Sequence, residues 1–292
     1  MKTFLEPVWS FAKKGERTPK QYGITELRQG LGGFVNDYQD LVEKIAYLAF
    51  KNPEYVLLFR GQANDYRNST NSTILYPSIF RAAKNYIKTS ELAKRFALLK
   101  QAELRLAEDY DFEGKRRIRI HEILRWAILQ HYEVCSTPLL DVTSSLRVAC
   151  SFAYWSLKPI QPMVYVLGLP QISGSVTASS ETGIQIIRLL SICPPTALRP
   201  NYQEGYLIGE YPTITLEAKA EYQRAELDFA RRLICKFRLP PQNKFWSKDF
   251  QPIPRAALYP NERDMLYPFT ADIHKELEKH SDATTPNKKA SP

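Results

Sequence analysis

The stretch Val56-Leu57-Leu58-Phe59-Arg60-Gly61-Gln62 decides the reading of this chain. Four apolar residues in succession predict a strand buried on both faces. An arginine carried at the end of such a strand is held in place. The glycine after it lets another backbone, or a ligand, come close. A guanidinium fixed in this way suits bidentate capture of a phosphate or carboxylate, and an internal carboxylate is an equal claimant to it.

Around this strand the chain reads as one elaborated α+β domain. Its 292 residues fit one large domain, and 44% hydrophobic and 12% aromatic content supports a substantial core. The 17 tyrosines suit pockets and interfaces, because each packs a ring and keeps a polar tip. A basic, loop-like arm is expected over residues 1–22, the domain over 23–280, and a disordered polar tail over 281–292. Gly30-Leu31-Gly32-Gly33 lacks a leading strand and reads as a break before a helix over Phe34–Phe50. Further helices are predicted at Ser90–Asp109, Arg117–His131, Ser144–Trp155, Thr215–Cys235 and Thr270–Glu278, with Ser78 a candidate helix cap. Pro138–Asp141, Met163–Leu169, Ile184–Leu190, Tyr206–Ile208 and Lys236–Leu239 read as extended.

Composition narrows the partners. The formal net charge of +9 favours a polyanion, either nucleic acid or an acidic protein. The densest basic cluster is Lys115, Arg116, Arg117 and Arg119, at the entry to a helix, where the helix dipole gains nothing from positive charge. These four are candidate nucleic-acid contacts; the alternative is a solvated helix face. The four cysteines have no C-x-x-C pair and, with the four histidines, no zinc spacing, so no metal is expected and the thiols read as free in a reducing cytoplasm. No apolar run spans a bilayer and residues 1–7 lack the apolar core of a signal peptide, so a cytoplasmic location without a membrane partner is expected. A G-x-S-x-G elbow and a Walker loop are both absent.

Three ordered segments add a family resemblance. The first is Phe59-Arg60-Gly61-Gln62 followed by Leu75-x-Pro77-Ser78-x-Phe80-Arg81. The second is Leu129-Gln130-His131-Tyr132, then Thr137-Pro138-Leu139-Leu140-Asp141-Val142-Thr143-Ser144 and Ala149-x-x-Phe152-Ala153. The third is Pro195, Arg199, Gln203, Gly205 and Tyr206. From about Tyr55 to Tyr206 the chain resembles the FRG-domain family, named for the Phe-Arg-Gly tripeptide. Family members usually carry Gly-x-Pro-Thr after the histidine motif, where this chain has Glu133-Val134-Cys135-Ser136-Thr137-Pro138, and Trp where it has Val142.

The order of parts is also similar, more distantly, to the NAD-binding core of ADP-ribosyltransferases. That resemblance implies a split, mixed or antiparallel β core decorated by helices, with NAD as ADP-ribose donor. It implies that Arg60 holds a phosphate, Thr143 or Ser144 binds the ribose or carboxamide, and Gln203 or Glu204 binds the ribose 2′-hydroxyl. Strand alternation would turn only one of Gln203 and Glu204 inward, leaving Asp141 and Glu226 as alternative carboxylates for the cationic transition state. His131 is a candidate general base or phosphate ligand, or else a core histidine. Arg199 and Gln62 are candidate contacts to the cofactor, as is Asp141, which otherwise caps a helix or pairs with an arginine. Tyr132 and Tyr206 are candidates to stack on nicotinamide or adenine, or to pack the core.

The acceptor expected is nucleic acid, RNA ahead of DNA because its bases are easier to reach. Such a protein would resemble a bacterial toxin or antiphage effector and need a neutralising antitoxin partner. Two alternatives stand beside it: a non-catalytic module binding RNA or a phosphorylated ligand, and an NAD glycohydrolase.

Overall fold

The computed structural model describes residues 3–4, 6–81, 87–156, 160–212 and 227–283. Among them are ten strands: β1 Val8–Ser10, β2 Lys20–Tyr22, β3 Gly33–Phe34, β4 Val56–Gln62, β5 Leu140–Thr143, β6 Met163–Leu169, β7 Val176–Ser179, β8 Ile184–Arg188, β9 Gly205–Glu210 and β10 Leu233–Arg238. The helices are α1 Ile24–Gln29, α2 Tyr38–Lys51, α3 Thr89–Asp109, α4 Lys115–Ile120, α5 Glu122–His131, α6 Leu146–Ala153, α7 Leu189–Ile192, α8 Leu198–Tyr202, α9 Gln242–Phe245, α10 Arg255–Leu258 and α11 Tyr267–Ala283.

Eight strands form one mixed sheet in the order β3-β10-β6-β4-β5-β9-β8-β7. Only β3 and β10 run parallel. β4 pairs with β6 through seven consecutive positions, from Val56↔Leu169 to Gln62↔Met163. Its other edge meets β5 at one pair, Phe59↔Thr143. β5 then pairs with β9 at four positions. The sheet is therefore two well-laddered halves joined at Phe59 and Thr143.

Both faces of the sheet are covered. One core gathers β4, β6 and β10 against α2, α6 and the β1–β2 ribbon, with Phe11, Leu41, Leu48, Tyr165 and Phe237 all buried. A second core packs α3, α5 and α11 onto Ile187 and Leu207 of the other half. α6 packs its backbone directly against β4. A Cβ on Gly61 would lie 1.8 Å from the Ala149 carbonyl oxygen, so only glycine admits the helix there. The small residues Ala149 and Ala153, both fully buried, bring the helix backbone to the strand.

Several expectations are corrected. Residues 8–22 are not a loop-like arm: they form an antiparallel ribbon, and Val8, Phe11 and Tyr22 enter the core. The helix expected from Phe34 begins at Tyr38, because the Asp37 carboxylate accepts from the Asp40 amide at 2.8 Å and caps it. Phe34 is extended beside Arg238 in β10. The Gly-rich run adjoins the same strand, where Gly32 has φ +82° and a Cβ would fall 2.5 Å from the Lys236 carbonyl. The helix expected over Arg117–His131 is two, broken at His121. Arg125 causes the break by donating to the Ile118 and Arg119 carbonyls, both at 2.8 Å, at the end of α4. Phe229–Arg232 is a 3₁₀ turn capped by Asp228, and Leu233–Cys235 belong to β10, not to a helix. Residues 213–226, and with them Glu226, lie outside the described residues, as does the tail beyond Ala283. No helix of the described residues is long and apolar enough to cross a membrane.

Candidate functional site

Where β4 and β5 part beyond their single pair, a cavity of about 220 Å³ opens. Its floor comes from Phe59, Arg60 and Gly61 of β4 and Asp141, Val142 and Thr143 of β5. Gln130, His131 and Glu133 enter from the end of α5, and Phe152 from α6. Arg199, Gln203, Gly205 and Tyr259 close the remaining side.

A polar chain fixes the floor. Gln130 Oε1 accepts from the Thr137 hydroxyl at 2.6 Å and the Ser78 hydroxyl at 3.0 Å. With that oxygen committed to two donors, the amide nitrogen turns to Asp141 and donates at 2.7 Å. The Asp141 carbonyl accepts from Arg60 Nη1 at 2.6 Å. The internal partner of Arg60 is thus a backbone carbonyl, and its Nε–H is buried with no hydrogen-bond partner. Burial, then the neighbouring charge of Arg81, lowers the Arg60 pKa to about 10, against the opposing pull of Asp141, so the guanidinium stays charged at neutral pH.

His131 is 3% exposed and sets Nδ1 3.5 Å from Asp141 Oδ1. Burial pushes the His131 pKa below its ordinary value; the hydrogen bond to Asp141 opposes this and the Arg199 charge adds to it. The ring is neutral at pH 7. Burial alone would raise the Asp141 pKa, but the hydrogen bond from His131, the charge of Arg60 and the Gln130 amide outweigh it and hold the carboxyl below the usual range.

Opposite lies Arg199, 3% exposed. Its amide donates to Asp264 at 2.7 Å, and its guanidinium lies 4.1 Å from the Tyr259 ring centre and 5.6 Å from that of Tyr132. Nη2 donates to Glu133 Oε1 at 2.9 Å, which also accepts from the Tyr259 hydroxyl at 2.8 Å. The Arg199 Nε–H, like that of Arg60, is buried without a partner. Glu133 adopts φ +58°, a left-handed conformation that costs a side-chain residue about 1–2 kcal/mol. It heads the run in which this chain departs from the Gly-x-Pro-Thr pattern.

Six of the residues singled out from the sequence line this cavity: Arg60, His131, Asp141, Thr143, Arg199 and Gln203. Thr143 and Gln203 are engaged with their neighbours. The Thr143 hydroxyl donates to the Gln203 carbonyl at 2.7 Å and accepts from the Ser145 amide at 2.9 Å, while the Gln203 amide donates to the Leu258 carbonyl at 2.8 Å. Gln203 and Glu204 lie in the turn between α8 and β9, not on a strand, so alternation does not govern them. Glu204 is exposed, with φ +45°, and like Ser144, Gln62, Tyr132 and Tyr206 it does not line the cavity. Tyr132 donates its hydroxyl to both Asp264 oxygens, at 2.9 and 3.1 Å, which makes it a strut.

The basic cluster stands apart on α4. Lys115 pairs with Asp111 at 2.6 Å, and Arg117 and Arg119 donate to the Ser191 and Ala107 carbonyls, both at 3.3 Å; Arg116 is exposed. Sequence reasoning passed over Glu133 and Tyr259 as site residues. The departure from the family pattern at Glu133 was the available signal for the first; no local pattern marks the second. Among the described residues no group of three or more His, Cys, Asp or Glu side chains is placed to hold a metal ion.

Comparison with known families bears on this floor. Residues 56–159 match the FRG domain family. The FRG match spans β4 through α6, and so includes Arg60, Gln130, His131, Glu133, Asp141, Thr143 and Phe152. Arg199, Gln203 and Tyr259 lie beyond its end. No curated protein and no solved structure matches the chain.

Proposed function

We propose that the cavity binds NAD and that the protein transfers ADP-ribose from it to a macromolecular acceptor, nucleic acid and RNA first. The observation that carries this reading is a pair of guanidiniums, Arg60 and Arg199, on the wall of one cavity, each with a buried Nε–H lacking a partner. Two guanidiniums on one wall suit a ligand that carries two anionic groups. A diphosphate brings oxygens for both. The resemblance in the order of motifs supports the further step from diphosphate to NAD.

In this reading the bond between the ribose C1′ and the nicotinamide nitrogen breaks, and its electron pair goes to the pyridinium ring, which leaves neutral. The sugar becomes oxocarbenium-like. A nucleophilic nitrogen or oxygen of the acceptor then bonds to C1′ and gives its proton to water or to neutral His131. Glu133 supplies the carboxylate for the developing cation in place of the exposed Glu204, because it lines the cavity and Arg199 and Tyr259 hold its Oε1.

A second reading, a non-catalytic module for a phosphorylated ligand, is favoured by the engagement of Gln203 with Leu258 and the outward position of Glu204. One experiment separates the two. Labelled NAD is offered to RNA, DNA and protein acceptors with the natural chain and with Arg60→Lys, both checked for native circular dichroism. Label in one fraction, lost in the variant, supports the transferase. NAD that is bound but never cleaved supports the module. Free ADP-ribose with no labelled polymer points to a glycohydrolase, and failure to bind NAD at all defeats the reading.

A further inference from the structure

We propose that the mouth of the cavity stacks an unpaired nucleobase of a single-stranded nucleic acid, on a shelf made by Phe152, Trp155 and Tyr259 with Arg255 at its edge. The inference rests on the transferase reading only in making that strand the acceptor. Phe152 stands in the last turn of α6, its ring centre 4.3 Å from that of Trp155, which lies 5.2 Å from Tyr259. Phe152 and Tyr259 line the cavity, and Trp155, partly exposed, packs against both rings at interplanar angles of 53° and 45°. All three rings are partly exposed.

Charge agrees with this occupant. Arg255 is exposed, and its guanidinium lies 5.6 Å from the Trp155 ring centre and 5.8 Å from that of Tyr259. Arg199 holds Tyr259 from within the cavity. Aromatic faces beside arginine accept a base of any identity, and the guanidinium meets the adjoining phosphate. A base within a duplex has both faces already stacked, so a shelf of this kind selects single strands. The α4 cluster does not line the cavity, and two of its arginines are bound to backbone carbonyls.

The test needs no NAD. Fluorescence anisotropy of a labelled 12-nucleotide RNA is followed with the natural chain, Trp155→Ala, Trp155→Phe and Arg255→Ala, and again with the same sequence as a duplex. The single strand is expected to bind at least ten times more tightly than the duplex. Trp155→Ala should weaken it about ten-fold and Trp155→Phe much less. Arg255→Ala should reduce the slope of log affinity against log salt by about one. Equal binding of strand and duplex, no binding, or affinity indifferent to Trp155→Ala would overturn the proposal. So would complete displacement of the strand by ADP-ribose, which would give the shelf to the nucleotide instead. A chain that binds RNA through Trp155 yet neither binds nor cleaves NAD would defeat the transferase reading and leave the shelf standing.

Discussion

Replacing Gly61 by alanine would force a side-chain atom into the backbone of α6. The added Cβ would lie 1.8 Å from the Ala149 carbonyl oxygen and 2.8 Å from both the Ala149 carbonyl carbon and the Ala153 nitrogen. Unstrained carbon contacts sit near 3.5 Å, so helix and strand must part by about 1.5 Å or more. Overpacking of a core costs about 1–3 kcal/mol when side chains can give way. Here the obstruction is backbone, on a helix whose Val148, Ala149, Cys150 and Ala153 are buried, which places the cost at the top of that range, about 3 kcal/mol. The smaller entropy of an unfolded alanine returns only about 0.4–1 kcal/mol. That leaves a net loss of about 2–2.6 kcal/mol, and for a domain of this size each kcal/mol moves Tm by about 2–4 °C, so Gly61→Ala should melt roughly 4–10 °C lower. Thermal and urea unfolding followed by circular dichroism would measure it. Ala149→Gly should not rescue the variant, because the clash is with a carbonyl and not with the alanine methyl. A loss under about 0.5 kcal/mol, or rescue by Ala149→Gly, would refute the account of why this strand carries glycine.

Further outcomes follow from the same contacts. Glu103, 2% exposed and ion-paired with Arg125, is worth removing alone: Glu103→Gln should cost about 3–5 kcal/mol in urea unfolding, because it leaves a buried guanidinium uncompensated. Burial opposes the Glu103 carboxylate, but the hydrogen bond and charge of Arg125 hold its pKa below the ordinary value, so its stabilisation is present above the unfolded pKa and lost as pH falls through the folded one; Glu103→Gln should flatten that acid limb. Lys236 bonds to Asp65 and to the Arg28 carbonyl, both at 3.0 Å, and to Thr73, and faces the Arg67 charge; burial lowers its pKa to about 8. The unfolded lysine therefore binds the proton more tightly, and the natural chain should gain stability relative to Lys236→Met as pH rises from about 8 to 10, measured by urea unfolding in steps of pH; a difference that shrinks would contradict the sign. Glu133→Gly should be more stable than Glu133→Ala by about 1 kcal/mol, since only glycine relieves φ +58° while both lose the same ion pair to Arg199.

What the sequence made legible was whatever a local pattern encodes. The strand at Val56–Gln62, the helix α3 and the buried strand β6 all announce themselves in runs of one periodicity, and the structure places each within a residue or two. The helix misread across Arg117–His131 failed because a long-range contact overrides its period: Arg125 turns back to cap α4 while held by Glu103, 22 positions away. The first half of β10 was hidden, although Lys236–Leu239 read as extended, because Leu233 through Phe237 are all buried, so no alternation appears and Leu227, Ala230 and Ile234 imitate a helical stripe. In the cavity, Arg60, His131 and Asp141 were visible as charged or polar punctuation in apolar runs. Tyr259 was not, since it follows the four-residue helix α10, whose Leu258 carbonyl accepts from Gln203 far away in the chain.

The Phe-Arg-Gly tripeptide now has three separate physical reasons to exist. Phe59 makes the one pair that joins the half-sheets, opposite Thr143. Arg60 reaches across the opening that follows to the Asp141 carbonyl and lines the cavity. Gly61 admits α6, and with it Phe152. Two of these are matters of assembly, and the third is assembly in part. The Gln130 chain from Ser78 and Thr137 to Asp141 is likewise assembly, because it consumes its polar groups internally. The matched span therefore accounts for a pocket floor rather than for a reaction. The groups that would distinguish one ligand from another are Arg199, Tyr259 and the carboxylate of Glu133 that they hold. Two of the three lie outside the matched span, and the third stands where the chain leaves the family pattern. Exchanging Glu133, Arg199 or Tyr259 should therefore alter ligand preference at nearly constant fold, while exchanging Gly61 should act on the fold first.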